Sequence, residues 1–131
     1  MIKHIKQLAA LLFLSVVVVS QSGCFALLAG AAVGAGTIAF VNGDLEYNFD
    51  ASAEKVHNAS VRALRKLALP ISQDVSDTHN AKIKAKYADG KEVSISIEAL
   101  TEKSSKLQIR VGTFGDQTRS ENILNTIQKY L

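Results

Sequence analysis

Residues 81–99, AKIKAKYADGKEVSISIEA, carry the pattern that decides the fold. Ala81, Ile83, Ala85 and Tyr87 alternate with Lys82, Lys84 and Lys86, then Val93, Ile95, Ile97 and Ala99 alternate with Ser94, Ser96 and Glu98. Period-two alternation puts one set of side chains on each face of a strand. The two runs are therefore half-buried strands, joined by a turn containing Asp89-Gly90. Loop length sets the register, because residues opposite one another share a face. A two-residue loop would place Tyr87 opposite Glu92 and mix the faces. A three-residue loop, Ala88-Asp89-Gly90 with Gly90 left-handed, places Ile83 opposite Ile95 and Ala85 opposite Val93. It also sets Lys86 opposite Glu92, and it is the register expected here.

The same pattern extends outward. Leu107, Ile109 and Val111 alternate with Lys106, Gln108 and Arg110, completing an antiparallel meander with one apolar and one solvated face. Upstream, Leu45, Tyr47 and Phe49 form another alternating strand, with Asp50 as the expected cap of a following helix. Val56, Ser60, Ala63, Leu64 and Leu67 recur at helical spacing to about Ala68. Pro70 is expected to end the helix, because the residue before a proline is pushed away from helical geometry. Ile71–Val75 reads as a short strand. Thr118-x-x-Glu121 matches a capping box, followed by an apolar stripe of Ile123, Leu124, Ile127 and Leu131. The expected order is β-α-β-β-β-β-α. This is an α+β domain over residues 44–131, with an antiparallel sheet of about five strands and both helices on its apolar face.

The N-terminal third is different in kind. Met1–Gln7 carries Lys3 and Lys6 and no acid, Leu8–Val19 is uncharged and almost wholly apolar, and Ser20–Gly23 is small and polar. These are the three regions of a secretory signal peptide, here residues 1–23. The apolar run of 12 residues falls short of the roughly 20 that a membrane span needs. Cys24, the only cysteine, follows directly. A cysteine after an apolar leader and small residues is the acceptor of a diacylglycerol in bacterial lipoproteins, and Ser22-Gly23-Cys24 resembles the end of that lipobox, although Gln21 stands where an aliphatic residue is usual. A free thiol and an intermolecular disulfide are the alternatives. Loss of Lys3 and Lys6 with the leader leaves 13 of the 15 basic residues against all 12 acidic ones. A net charge of +1 gives no footprint for nucleic acid, which needs a strong basic excess on one face.

Phe25–Val41 follows, 17 residues without a charge, with Gly30 and Gly34 spaced as in G-x-x-x-G. Three readings fit: an apolar helix at the membrane beside the lipid anchor, an oligomerisation segment, or the start of the domain packed against the sheet. The membrane-proximal helix is preferred.

The layout, with GAAVGAGTIAFVNGDLE (residues 30–46) after the cysteine and RVGTFGD (residues 110–116) before the last helix, resembles small bacterial lipoproteins of the domain-of-unknown-function family number 3568. The resemblance covers nearly all of the mature chain. It implies export, lipidation and one small α+β domain, and it carries over no catalytic residue. By the usual sorting rule an Asp after the lipidated cysteine retains a lipoprotein in the inner membrane. Phe25 stands there, which implies the outer membrane, on its periplasmic side.

Chemistry is sparse. His57 falls in the first helix and His79 in a turn, each without a second His or a Cys at ligand spacing. The chain has no G-x-S-x-G and no P-loop. Gly112–Asp116 bends backbone ahead of a helix, a geometry able to meet an anion, or simply to turn the chain. No catalytic residue, metal or cofactor is expected. Lys82, Lys84, Lys86, Lys106 and Arg110 share the polar sheet face and form the one candidate contact surface, for anionic lipid, polysaccharide or an acidic partner. Glu92 and Glu98 share that face, which favours a merely solvated surface. The expectation is a non-catalytic envelope lipoprotein. Its partners would be the membrane, through Cys24 and residues 25–41, and an envelope protein or polymer. The alternative is a ligand-binding module using the basic row.

Overall fold

The computed structural model describes residues 36–131, together with His4 and Gln7. The signal peptide, Cys24, Gly30 and Gly34 lie outside the described residues. The elements are β1 (Ile38–Val41), β2 (Asp44–Phe49), α1 (Ala53–Lys66), β3 (Ile71–Ser76), β4 (Asn80–Lys86), β5 (Glu92–Thr101), β6 (Ser104–Val111) and α2 (Gln117–Gln128). The strands form one antiparallel sheet in the order β1-β2-β6-β5-β4-β3.

The expected hairpin register holds residue for residue. Ile83 lies opposite Ile95, Ala85 opposite Val93 and Lys86 opposite Glu92. Gly90 has φ +91 and donates its N–H to the Tyr87 carbonyl, while the Tyr87 N–H closes the loop on the Lys91 carbonyl. One face then gathers Leu45, Ile83, Ile95, Ile97, Leu107 and Ile109, each at most 2 % exposed. Fully burying such a side chain is worth about 1.5–3 kcal/mol. α1 covers this face with Val56, Ala59, Ala63 and Leu64, and α2 with Ile123, Leu124 and Ile127. The two helices also pack on each other.

The sheet has six strands, not five. Ile38–Val41, for which a membrane-proximal helix is the preferred of the three expectations, is a strand paired antiparallel with β2. Val41 lies opposite Asp44, so Asn42-Gly43 is a two-residue loop, with φ 52 and 90. Left-handed geometry at both positions is what a type I′ hairpin turn requires, and Asn-Gly is its preferred sequence. The domain therefore begins ahead of residue 44.

Both expected helix starts move. Ser52, in extended geometry, caps α1 by accepting the Lys55 N–H, whereas Asp50 lies two residues too far out. Asp116 caps α2 by accepting the Arg119 N–H at 3.1 Å. Thr118 is thereby already inside the helix, and Glu121 instead accepts from the Gln117 side chain. α1 stops before Pro70 exerts any constraint. Ala68 is left-handed at φ 55, its N–H reaches the Arg65 carbonyl, and the Leu69 N–H reaches Leu64. That pair of bonds is a Schellman motif. α2 ends at Gln128, which leaves Leu131 exposed and outside the apolar stripe.

Candidate functional site

The five basic residues do share the polar face of the sheet. Lys82, Lys84 and Lys86 alternate along β4, and Lys106 and Arg110 lie on β6, with β5 between them. The face brings acids from β2 and β5 among them. Arg110 grips Asp44 through two bonds, Nε to Oδ1 at 2.7 Å and Nη2 to Oδ2 at 3.0 Å. This pair holds the guanidinium pKa above its usual value. Lys106 lies 3.2 Å from Glu46, whose other oxygen accepts from Gln108. Lys84 lies 3.3 Å from Glu92. The expected Lys86–Glu92 pair is thus replaced by a diagonal one, which the cross-strand spacing of i, j±2 neighbours allows for a side chain as long as Lys. Lys82 and Lys86 have no acidic partner within 4.0 Å among the described residues.

A shallow, open depression of about 310 Å³ lies on this face. Lys82, Lys106, Glu98, Asp77 and Gln108 line it, so both signs of charge meet there. A mixed-sign lining on an open surface sets no polarity for an anion and does not enclose a ligand.

His57 on α1 and Asp74 on β3 are brought together, the imidazole Nε2 lying 2.6 Å from Oδ1. Asp74 pairs with Ile83 across the strands and so faces the helix side of the sheet. The pair borders a broad opening of about 890 Å³ that also includes Arg62, Arg65 and Tyr130. Its lining has no Ser, Thr or Cys, and its one hydroxyl belongs to Tyr130. The His–Asp pair ties α1 to the edge strand. His79 lies in the β3–β4 turn, where its N–H and that of Asn80 both bond the Asp77 carboxylate at 2.8 Å. Those two bonds lower the Asp77 pKa. Among the described residues no three His, Cys, Asp or Glu side chains form a group able to hold a metal.

The loop Gly112–Asp116 does not leave the α2 N-terminus open for an anion. Asp116 occupies it with its own carboxylate. The same corner holds a cluster absent from the expected site residues. Arg119 lies over the Tyr87 ring at 4.5 Å, donates from Nη2 to Asp89 at 2.7 Å, and has Nε 3.6 Å from Asp116. Lys91 is 3.6 Å from Asp116. The Arg119 guanidinium holds the Asp89 carboxyl below the usual carboxylate range, and the Arg119 backbone N–H does the same for Asp116. Burial pushes the Tyr87 hydroxyl up. The only hint in the sequence is the Asp89-Gly90 turn, since nothing in spacing places Arg119 against it.

No helix among the described residues is long and apolar enough to cross a membrane. No curated protein matches the chain. The family described as "Protein of unknown function (DUF3568)" matches residues 7–130, which include the α+β domain and the tract before it, and the chain belongs to that family.

Proposed function

We propose that the protein is a lipid-anchored lipoprotein of the bacterial envelope with a non-catalytic structural or interaction role. The observation that carries this reading is Cys24, the only cysteine, set directly after a basic, apolar and then small-residue leader. Two or more acyl chains on one residue give stable anchoring, at about 0.8 kcal/mol per buried methylene. Phe25 after the cysteine points to the outer membrane, facing the periplasm. The sheet supports a non-catalytic role: its polar face balances Arg110, Lys106 and Lys84 with Asp44, Glu46 and Glu92. Cys24→Ser in the native host is expected to leave an uncleaved precursor and to abolish recovery with outer-membrane markers. A wild-type protein found only with inner-membrane markers contradicts the assigned membrane, and identical processing of both forms contradicts the anchor.

A second reading rests on Lys82 and Lys86, both exposed and without an acidic partner within 4.0 Å among the described residues. In that reading the β4 row takes anionic lipid, polysaccharide or an acidic partner.

A further inference from the structure

Phe114 is 92 % exposed, far more than any other large apolar residue described. Its loop is nevertheless firmly held. Arg110 donates from Nη1 to the Thr113 carbonyl at 3.1 Å and from Nη2 to the Asn42 carbonyl at 2.8 Å, while Asp44 fixes the guanidinium. Gly43 and Gly115 meet backbone to backbone. A Cβ at Gly115 would lie 2.2 Å from the Gly43 oxygen, and one at Gly43 would lie 2.5 Å from the Phe114 oxygen. Both glycines have positive φ, at +90 and +83. Close backbone approach in left-handed geometry is open to glycine alone. The β1–β2 turn and the β6–α2 loop are therefore locked together with the Phe114 ring outside.

That turn ends β1, an edge strand that leaves Ile38, Phe40 and Val41 exposed at 46, 38 and 49 %. Edge strands are ordinarily blunted by charge, proline or a bulge. β3, at the opposite edge, follows Pro70, contains Asp74 and has a register shift between Ile71 and Gln73. β1 reads IAFV and has none of these. The cations around the loop are all engaged: Arg110 with Asp44, Lys91 with Asp116, Arg119 with Asp89.

We propose that Phe114 and the β1 edge seat on a lipid bilayer, the ring entering the interface. Proximity rests on the Cys24 anchor. Residues 25–35 can span at most about 36 Å, so β1 stays within roughly that distance of the anchored cysteine. With its cations paired, the contact is apolar and needs no anionic headgroup. A second copy joining through β1 would use the strand's main-chain edge and not the ring of Phe114.

The chain has no tryptophan, so Phe114→Trp creates a single emitter at a site outside the core. Full-length protein carrying this change is placed in phosphatidylcholine vesicles, with and without bromine-labelled acyl chains. Val75→Trp on β3, where Val75 is 57 % exposed, serves as the control. The expected result is a blue-shifted emission at position 114, quenched by the brominated lipid and shielded from acrylamide, and unchanged by high salt. Position 75 is expected to stay open to acrylamide and unquenched by lipid. Emission at 114 that matches 75 overturns the proposal. Shielding from acrylamide without lipid quenching also overturns it, because protein then covers the ring. The mass of the same sample separates the two readings. Lipid quenching in an unlipidated chain keeps this proposal and removes the anchor, whereas a lipidated chain without quenching does the reverse.

Discussion

Arg119 joins the β4–β5 hairpin to the start of α2 through Asp89, Asp116 and the Tyr87 ring. Both carboxyls sit below the usual Asp value, near 3.9. A carboxyl whose pKa is lower folded than unfolded adds stability above the unfolded value. That contribution is lost as pH falls through the folded value. The junction is therefore expected to be fully formed at neutral pH and to weaken below about pH 4. Asp89→Asn should lower the urea midpoint at pH 7, and the gap to wild type should narrow toward pH 3. A gap of the same size at both pH values would contradict the assignment.

At the scale of elements, what was legible in the sequence followed from side-chain period. The β4–β5 register could be worked out because a one-residue slip would mix Tyr87 with Glu92, and the structure has the register that keeps the faces separate. Capping was less legible. Asp50 and Ser52 both suit a helix start, as do Asp116 and Thr118, and the choice depends on which residue is extended in the folded chain. β1 was hidden for a different reason. Its Asn42-Gly43 turn is a strong hairpin signal, but Ile38–Val41 merges into an uncharged tract that hides any alternation. The α1 terminus offers a direct check. Ala68 holds a left-handed φ of 55, a conformation that costs a non-glycine residue about 1–2 kcal/mol. Ala68→Gly removes that strain and adds unfolded-state entropy of about 0.4–1 kcal/mol. A net gain of about 1 kcal/mol is expected in urea unfolding, and a loss would show that Ala68 is unstrained.

Across the whole molecule, a row of cations was readable from β4 and β6, but the pairing of Arg110 and Lys106 with acids of β2 was not. Asp44 and Glu46 lie more than 60 residues from Arg110 and Gln108 in sequence, and only the β2–β6 pairing brings them together. The balanced face leads to a definite expectation. Replacing Lys82, Lys84 and Lys86 with Gln should change stability by no more than about 0.5 kcal/mol each. Association with anionic vesicles should hardly change at low or high salt. Strong binding that falls as the Debye length shrinks from about 10 Å to about 3 Å, and that the triple variant abolishes, would favour the binding module. The anchor underlies the rest of the account, and the intact mass of the protein purified from its native membrane tests it most directly. The account predicts a chain beginning at Cys24 and heavier than residues 24–131 by a diacylglycerol or more. An unmodified chain retaining residues 1–23 would contradict it.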